Sequence, residues 1–217
     1  MTADPLFSAA DREAIRAAVE EAERRTAGEI VPYVVAASDE YPNAAWRGAA
    51  LGAMTLPLLA WAAHGVLGLW GGQLFVWMVL PAAGGAALGW LLALLPAVRR
   101  ALIGREAMER RVRRRAAVAF LEEEVFTTRD RTGILLFLSL FEHRVVVLGD
   151  AGINQRVEEA EWRDIVRTVT EGIRAGRPGA AVAAAVRECG ALLERHGVAR
   201  RPDDADELEN VVRRGEP

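Results

Sequence analysis

The chain has 217 residues, a formal net charge of −3 and 27 basic residues, all of which are arginine. This slightly acidic balance does not favour nucleic acid as a partner, and the single cysteine, Cys189, excludes an intramolecular disulfide. No charged residue occurs between Arg47 and Arg99, whereas the rest of the chain is densely charged. Such segregation indicates a membrane segment embedded in a water-soluble protein.

Residues 1–45 predict one helix followed by one strand, the first part of an α/β domain. Ser8 and Asp11 resemble a capping box at the start of an amphipathic helix. The segment Glu29–Ala37 is typical of a strand. Because Pro32 cannot donate a backbone hydrogen bond, we expect this strand at the edge of its sheet, or Pro32 near the start of the strand.

Residues 46–98 predict a hairpin of two transmembrane helices. The uncharged stretch is about 51 residues long, which matches two spans of about 20 residues and a tight turn. We place the spans at about 48–67 and 74–96, with the turn within Leu67–Gln73 because a Gly-Gly pair lies there.

Both predicted spans contain the pentapeptide GAALG, which places small residues four positions apart. The glycines concerned are Gly48, Gly52, Gly85 and Gly89. This spacing lets helices approach closely in lipid, and we expect Gly52 to receive Trp90 and Gly89 to face Ala53. The high Gly and Ala content of the chain explains the repeat equally well.

An arginine-rich helix follows the second span. Its arginines include Arg105, Arg110, Arg111, Arg113, Arg114 and Arg115. Because Arg47 precedes the hairpin and these arginines follow it, the positive-inside rule places both termini and the α/β domain in the cytoplasm of a multi-pass inner-membrane protein. The arginines form either a surface for anionic lipid or a partner, or a solvated helix face.

Residues 99–199 predict the second part of the domain, and residues 200–217 a polar tail that is flexible or weakly helical. Two strands, Thr132–Leu140 and Arg144–Leu148, precede two helices. The first strand is almost entirely apolar, as expected of a central strand covered on both faces. The element order predicts a small α/β (or α+β) mixed-sheet sandwich with the hairpin inserted into it.

The sequence contains no motif of a common catalytic site, such as a nucleophile elbow or a phosphate-binding glycine loop. Ser139 lies inside an apolar strand and is interpreted as a hydrogen-bonded core hydroxyl. Asp130 and Asp150 lie at loop positions beside strand ends, where calcium finds carboxylate and carbonyl oxygens. Asx-turn chemistry accounts for both residues equally well.

Three segments resemble the TPM domain family, in particular its bacterial membrane branch. They are Thr-Ala-Gly-Glu-Ile-Val-Pro at 26–32, Asp-Glu-Tyr-Pro at 39–42 and the block at 131–153. The resemblance covers about 8–200 and implies an α/β/α sandwich on a small mixed sheet. It also implies phosphatase-like activity or calcium binding in some members, and a LemA-type membrane protein as partner.

The chain departs from the family pattern after the strand hairpin, where Ile153–Val157 replace an acidic stretch. Asp150 is the acidic position that the resemblance carries over. We therefore expect a membrane-anchored interaction or assembly module that is not an enzyme and has no cofactor, with membrane lipid and a membrane protein as partners. The alternative is a divalent-cation-dependent, phosphatase-like hydrolase. The sequence leaves oligomerisation open.

Overall fold

The computed structural model describes residues 7–68, 74–198, 200 and 211–215. Its helices are α1 (Ala9–Glu23), α2 (Asn43–Leu67), α3 (Leu74–Leu92), α4 (Pro96–Ile103), α5 (Arg105–Glu122), α6 (Ala151–Asn154), α7 (Glu159–Arg174) and α8 (Pro178–Arg195). Its strands are β1 (Ile30–Val35), β2 (Ile134–Ser139), β3 (Arg144–Gly149) and β4 (Arg213–Gly215). The chain divides into two compact units: the α/β unit, residues 1–39 with 109–217, and the hairpin unit, residues 40–108.

The α/β unit is built on a four-stranded mixed sheet of order β3-β2-β1-β4. β1 is parallel to both β2 and β4, and β3 is antiparallel to β2. One face of the sheet packs against residues of α1, α7 and α8, and the other face against α5. The predicted α/β/α sandwich is thus confirmed, and the apolar β2 is covered on both faces.

The capping box at the start of α1 is present as predicted. The Ser8 hydroxyl accepts a hydrogen bond from the Asp11 backbone N–H at 3.1 Å, and the Asp11 carboxylate accepts one from the Ser8 N–H at 2.9 Å. The hydrogen bonds from Ser8 lower the pKa of the Asp11 carboxyl. The start of α1 is thus fixed by hydrogen bonds between residues that are close together in the sequence.

The expectation that β1 lies at the edge of the sheet is wrong, because β1 lies between β2 and β4. β4 pairs only with Tyr33–Val35. Pro32 lies outside that pairing, so its missing N–H costs no hydrogen bond between β1 and β4. The alternative, in which Pro32 lies near the start of the strand, agrees with its position as third residue of β1.

The tail also differs from its prediction as a flexible or weakly helical segment. Arg213–Gly215 form β4, whereas residues 201–210 lie outside the described part of the chain. A strand of three residues has too short a pattern to be recognised in a sequence. It exists because β1 offers a row of backbone hydrogen-bonding groups on its free side.

In the hairpin unit, α2 and α3 pack along each other. The second span was predicted to continue to residue 96, but α3 ends at Leu92 and a new helix begins at Pro96. Proline keeps the preceding residue extended, and Leu95 has φ −71° and ψ 127°. The axis bends by 103° between Val76–Leu92 and α4. The predicted turn lies mostly in residues 69–73, outside the described residues.

Candidate functional site

Asp150, the acidic residue carried over from the family resemblance, is the N-cap of α6 and is only 4% exposed. Its Oδ2 accepts a hydrogen bond from Arg131 Nε at 2.6 Å. Its Oδ1 accepts bonds from Arg131 Nη2 at 2.9 Å and from the Ala151 backbone N–H at 2.7 Å. The bidentate bond with Asp150 raises the pKa of the Arg131 guanidinium. Both carboxylate oxygens are therefore engaged inside the protein.

Asp130 lies in the neighbouring loop and is exposed. The two loops are in contact, because the Gly152 N–H donates to the Arg131 carbonyl oxygen at 2.9 Å. A Cβ atom at Gly152 would overlap the Asp130 carbonyl oxygen, so only glycine permits this approach. The fold thus brings together the two loops in which a metal site was predicted.

The bonds of Asp150 bear on the predicted calcium site. Calcium takes six to eight oxygen ligands. Both carboxylate oxygens of Asp150, however, already accept hydrogen bonds from the Arg131 guanidinium. Within the described residues, no group of three or more His, Cys, Asp or Glu side chains converges on one point. Ile153, the first residue of the stretch that was found to depart from the family resemblance, is fully buried and contributes to the core.

The arginines of α5 fall into two groups. Arg110, Arg113 and Arg114 are exposed on the side of the helix away from its buried residues, and we call them the α5 arginine face. The buried side consists of Val112, Ala116 and Ala119, with Phe120 packed alongside. Of the other predicted surface arginines, Arg105 is exposed, and Arg111 forms an ion pair with Asp39.

Arg115 does not belong to the predicted surface, because its side chain is only 13% exposed. Its guanidinium donates to the Tyr33 hydroxyl at 3.0 Å and to Glu122 at 3.0 Å, and it lies 5.6 Å from the centre of the Tyr33 ring. Burial raises the pKa of the Tyr33 hydroxyl, although the arginine opposes that effect. Arg115 thus holds α5 against β1 and is not available to a lipid.

The four glycines of the GAALG repeats lie at the contact between α2 and α3. Gly48 faces Gly89, and Gly52 faces Gly85. A Cβ atom at any of them would overlap the carbonyl oxygen of the facing glycine. The expected partners Trp90 and Ala53 were wrong, since glycine faces glycine and the backbones are in direct contact.

A buried polar network closes the opposite end of the sheet from Asp150. Ser38 Oγ and Ser139 Oγ are 2.7 Å apart, and Ser139 Oγ also bonds to the Glu142 carboxylate. The Ser38 backbone N–H donates to Glu142 Oε1 at 2.9 Å. Ser139 is a hydrogen-bonded core hydroxyl, as predicted. Glu142 was not recognised in the sequence, because a single Glu in a turn gives no signal of burial.

Residues 104–192 match the sequence model of the TPM domain. The chain contains a TPM domain. The match includes α5, β2, β3, α6, α7 and most of α8, and it confirms the resemblance drawn from the block at 131–153. No curated protein matches the chain.

The fold of the chain is similar to the NMR structure of the BA42 protein from the psychrophilic bacterium Bizionia argentinensis. The TM-score is 0.61 and the sequence identity 17%, over 99% of each chain. At this identity the likeness concerns the fold alone. β1 and α1 precede the matched residues, yet they belong to the same α/β unit.

Arg131 is a second residue whose role was not predicted from the sequence. It was quoted within the resembling block, but it was not paired with Asp150, which is 19 residues away. A signal exists in retrospect: an arginine at one end of a predicted strand hairpin lies opposite the acid at its other end.

Proposed function

We propose that the protein is a membrane-anchored TPM-domain module that acts by binding a membrane-protein partner and is not an enzyme. The observation that carries this proposal is that both carboxylate oxygens of Asp150 are bonded to groups of the protein itself. A hydrolytic metal site requires carboxylate oxygens that are free to bind the ion. Here the one acidic position shared with the family pattern is used to hold two loops together.

The hairpin unit supports the membrane anchor. Among the described residues, α2 is the one single helix with the length and composition to cross a membrane, and α3 with α4 forms a second, bent candidate. At 1.5 Å per residue, α2 is about 38 Å long, compared with a hydrocarbon core of about 30 Å. Its large apolar side chains are uncovered: Trp46 is 71% and Trp61 68% exposed. Lipid is the environment that covers such a surface.

The α5 arginine face supports binding at the membrane surface. In the proposed topology both termini and the α/β unit lie in the cytoplasm, next to anionic lipid headgroups. Arginine near such a surface contributes about 1 kcal/mol per residue. The same face is the surface that we assign to a membrane-protein partner, for which the family resemblance suggests a LemA-type protein.

The test is quantitative co-purification from native membranes in a gentle detergent. The full chain is compared with Arg113→Gln/Arg114→Gln, which removes two charges of the α5 arginine face. A matched control, Arg163→Gln/Arg177→Gln, removes two exposed charges from other parts of the α/β unit. We expect a partner that is retained by the wild type and the control but depleted in the α5 variant. Equal retention by all three proteins would rule out the α5 arginine face as the binding surface.

The alternative function is a divalent-cation-dependent, phosphatase-like hydrolase. The contact between the loops of Asp130 and Asp150 favours it, because displacement of Arg131 would leave two carboxylates in one region. We expect no turnover of p-nitrophenyl phosphate above background with calcium or magnesium. Metal-dependent turnover that disappears in Asp150→Ala would establish the hydrolase and refute the non-enzymatic proposal.

A further inference from the structure

The α/β unit contains a pocket at the end of the sheet remote from Asp150. It has a volume of about 530 Å³ and lies between the end of β2, the β2–β3 turn and the last turns of α7. Small-molecule sites typically measure about 300–1,000 Å³, with a mainly apolar lining and a few polar groups. This pocket therefore has the size of a small-ligand site.

The pocket combines an apolar wall with two arginines. Its apolar residues are Leu138, Leu140, Val145 and Ile173. Arg144 and Arg174 also line it, and within the described part of the chain neither guanidinium has a hydrogen bond or an ion pair. Arginine is suited to carboxylate and phosphate groups because its planar fork of N–H donors matches their oxygens.

The turn beside these arginines has an unusual backbone. His143, which also lines the pocket, has φ 53°, in the left-handed region that residues other than glycine rarely adopt. The turn is held by Glu142, whose carboxylate bonds to Ser38 and Ser139 from inside the sheet. Residues fixed in such conformations tend to cluster at binding sites. The buried network thereby positions His143 and Arg144 at the pocket.

We propose that this pocket binds a small amphipathic anion. The ligand carries one carboxylate or phosphate group, which pairs with Arg144 and Arg174, and an apolar portion the size of an aromatic ring or a short acyl chain. Arg174 also lies in the last turn of α7, where a cation offsets the partial negative charge of the helix end. The effect of Arg174 on the helix end requires no ligand. A binding measurement therefore separates this stabilising role from a role in ligand binding.

The experiment uses phenylphosphonate, which joins an aromatic ring to a phosphonate and is not a substrate for phosphatases. Saturation-transfer NMR measures its binding to the full chain in lipid nanodiscs, with empty nanodiscs as the blank. The variants are Arg144→Gln and Arg174→Gln. The matched control is Arg163→Gln, an exposed arginine on α7 that is not part of the pocket. Methylphosphonate serves as an anion of similar charge without the ring.

We expect saturable binding of phenylphosphonate, weakened about tenfold in each pocket variant because a charge-assisted contact is lost, and unchanged in Arg163→Gln. Methylphosphonate should bind much more weakly. The proposal is overturned if phenylphosphonate shows no saturable binding, if the control loses as much affinity as the pocket variants, or if the two phosphonates bind equally. Because Arg174 is exposed, we expect Arg174→Gln to fold. The proposal can therefore still be tested if Arg144→Gln does not fold.

Discussion

The bond between Arg131 and Asp150 gives a quantitative test of the structural role that we assign to this pair. Asp150 is buried, whereas the Arg131 side chain is 55% exposed, so water screens one partner. Hydrogen bonds to charged groups contribute about 1.5–3 kcal/mol. Because water screens the exposed guanidinium, we expect Arg131→Gln to lower the free energy of unfolding by less than the loss of Asp150 itself.

Asp150→Ala removes the same pair and also the N-cap of α6, which contributes about 1 kcal/mol. We therefore expect a loss of about 2–3 kcal/mol. The double variant should lose little more than Asp150→Ala alone, because Asp150→Ala already removes the bond that Arg131→Gln would break, so the two effects are not additive.

The assay is differential scanning calorimetry of the full chain in a mild detergent, with Arg163→Gln as an exposed control. For a chain of this size, each kcal/mol lowers Tm by about 2–4 °C. Calcium at 1 mM should raise the Tm of the wild type by no more than about 2 °C, since a millimolar Kd adds only about 0.4 kcal/mol. Additive effects of the two substitutions, or a clear stabilisation by calcium, would refute the assignment of Asp150 to a structural role.

Three further predictions concern topology, helix packing and the cysteine. Alkaline phosphatase, which is active only after export, should be inactive when fused at Met1 or at Pro217, because the positive-inside rule predicts that both ends lie in the cytoplasm; activity in either fusion would reverse the proposed topology. Gly52→Leu should lower the fraction of sodium dodecyl sulfate at which the hairpin unfolds, since its Cβ would overlap facing backbone. Gly65→Leu should have no effect, because among the described residues nothing apart from its own stretch of helix lies within 4 Å of its Cβ position. Burial raises the pKa of the Cys189 thiol to about 12, so this thiol should resist alkylation by iodoacetamide at pH 8 until the α/β unit unfolds.

The structure also shows why some predictions from the sequence failed. Pro32 suggested an edge strand because proline lacks a donor, but β1 became interior when Arg213–Gly215 paired with its last three residues. The end of the second span was predicted at residue 96 from hydropathy. Hydropathy does not show that Pro96 starts a new helix in a different direction. In both cases a correct local observation was combined with a wrong assumption about the neighbouring backbone.

The sequence by itself determined the features that depend on residues close together along the chain. They include the capping box of Ser8 and Asp11, the apolar helix α2 and the fully apolar strand β2. Tertiary structure alone decided that Arg131 binds Asp150, that glycine faces glycine between α2 and α3, and that Arg144 and Arg174 share a pocket. Caps and hydrophobic periods arise from contacts within a turn or a strand, which a sequence displays directly. Partners brought together by the sheet and by helix packing are distant in sequence, so only the folded chain determines them.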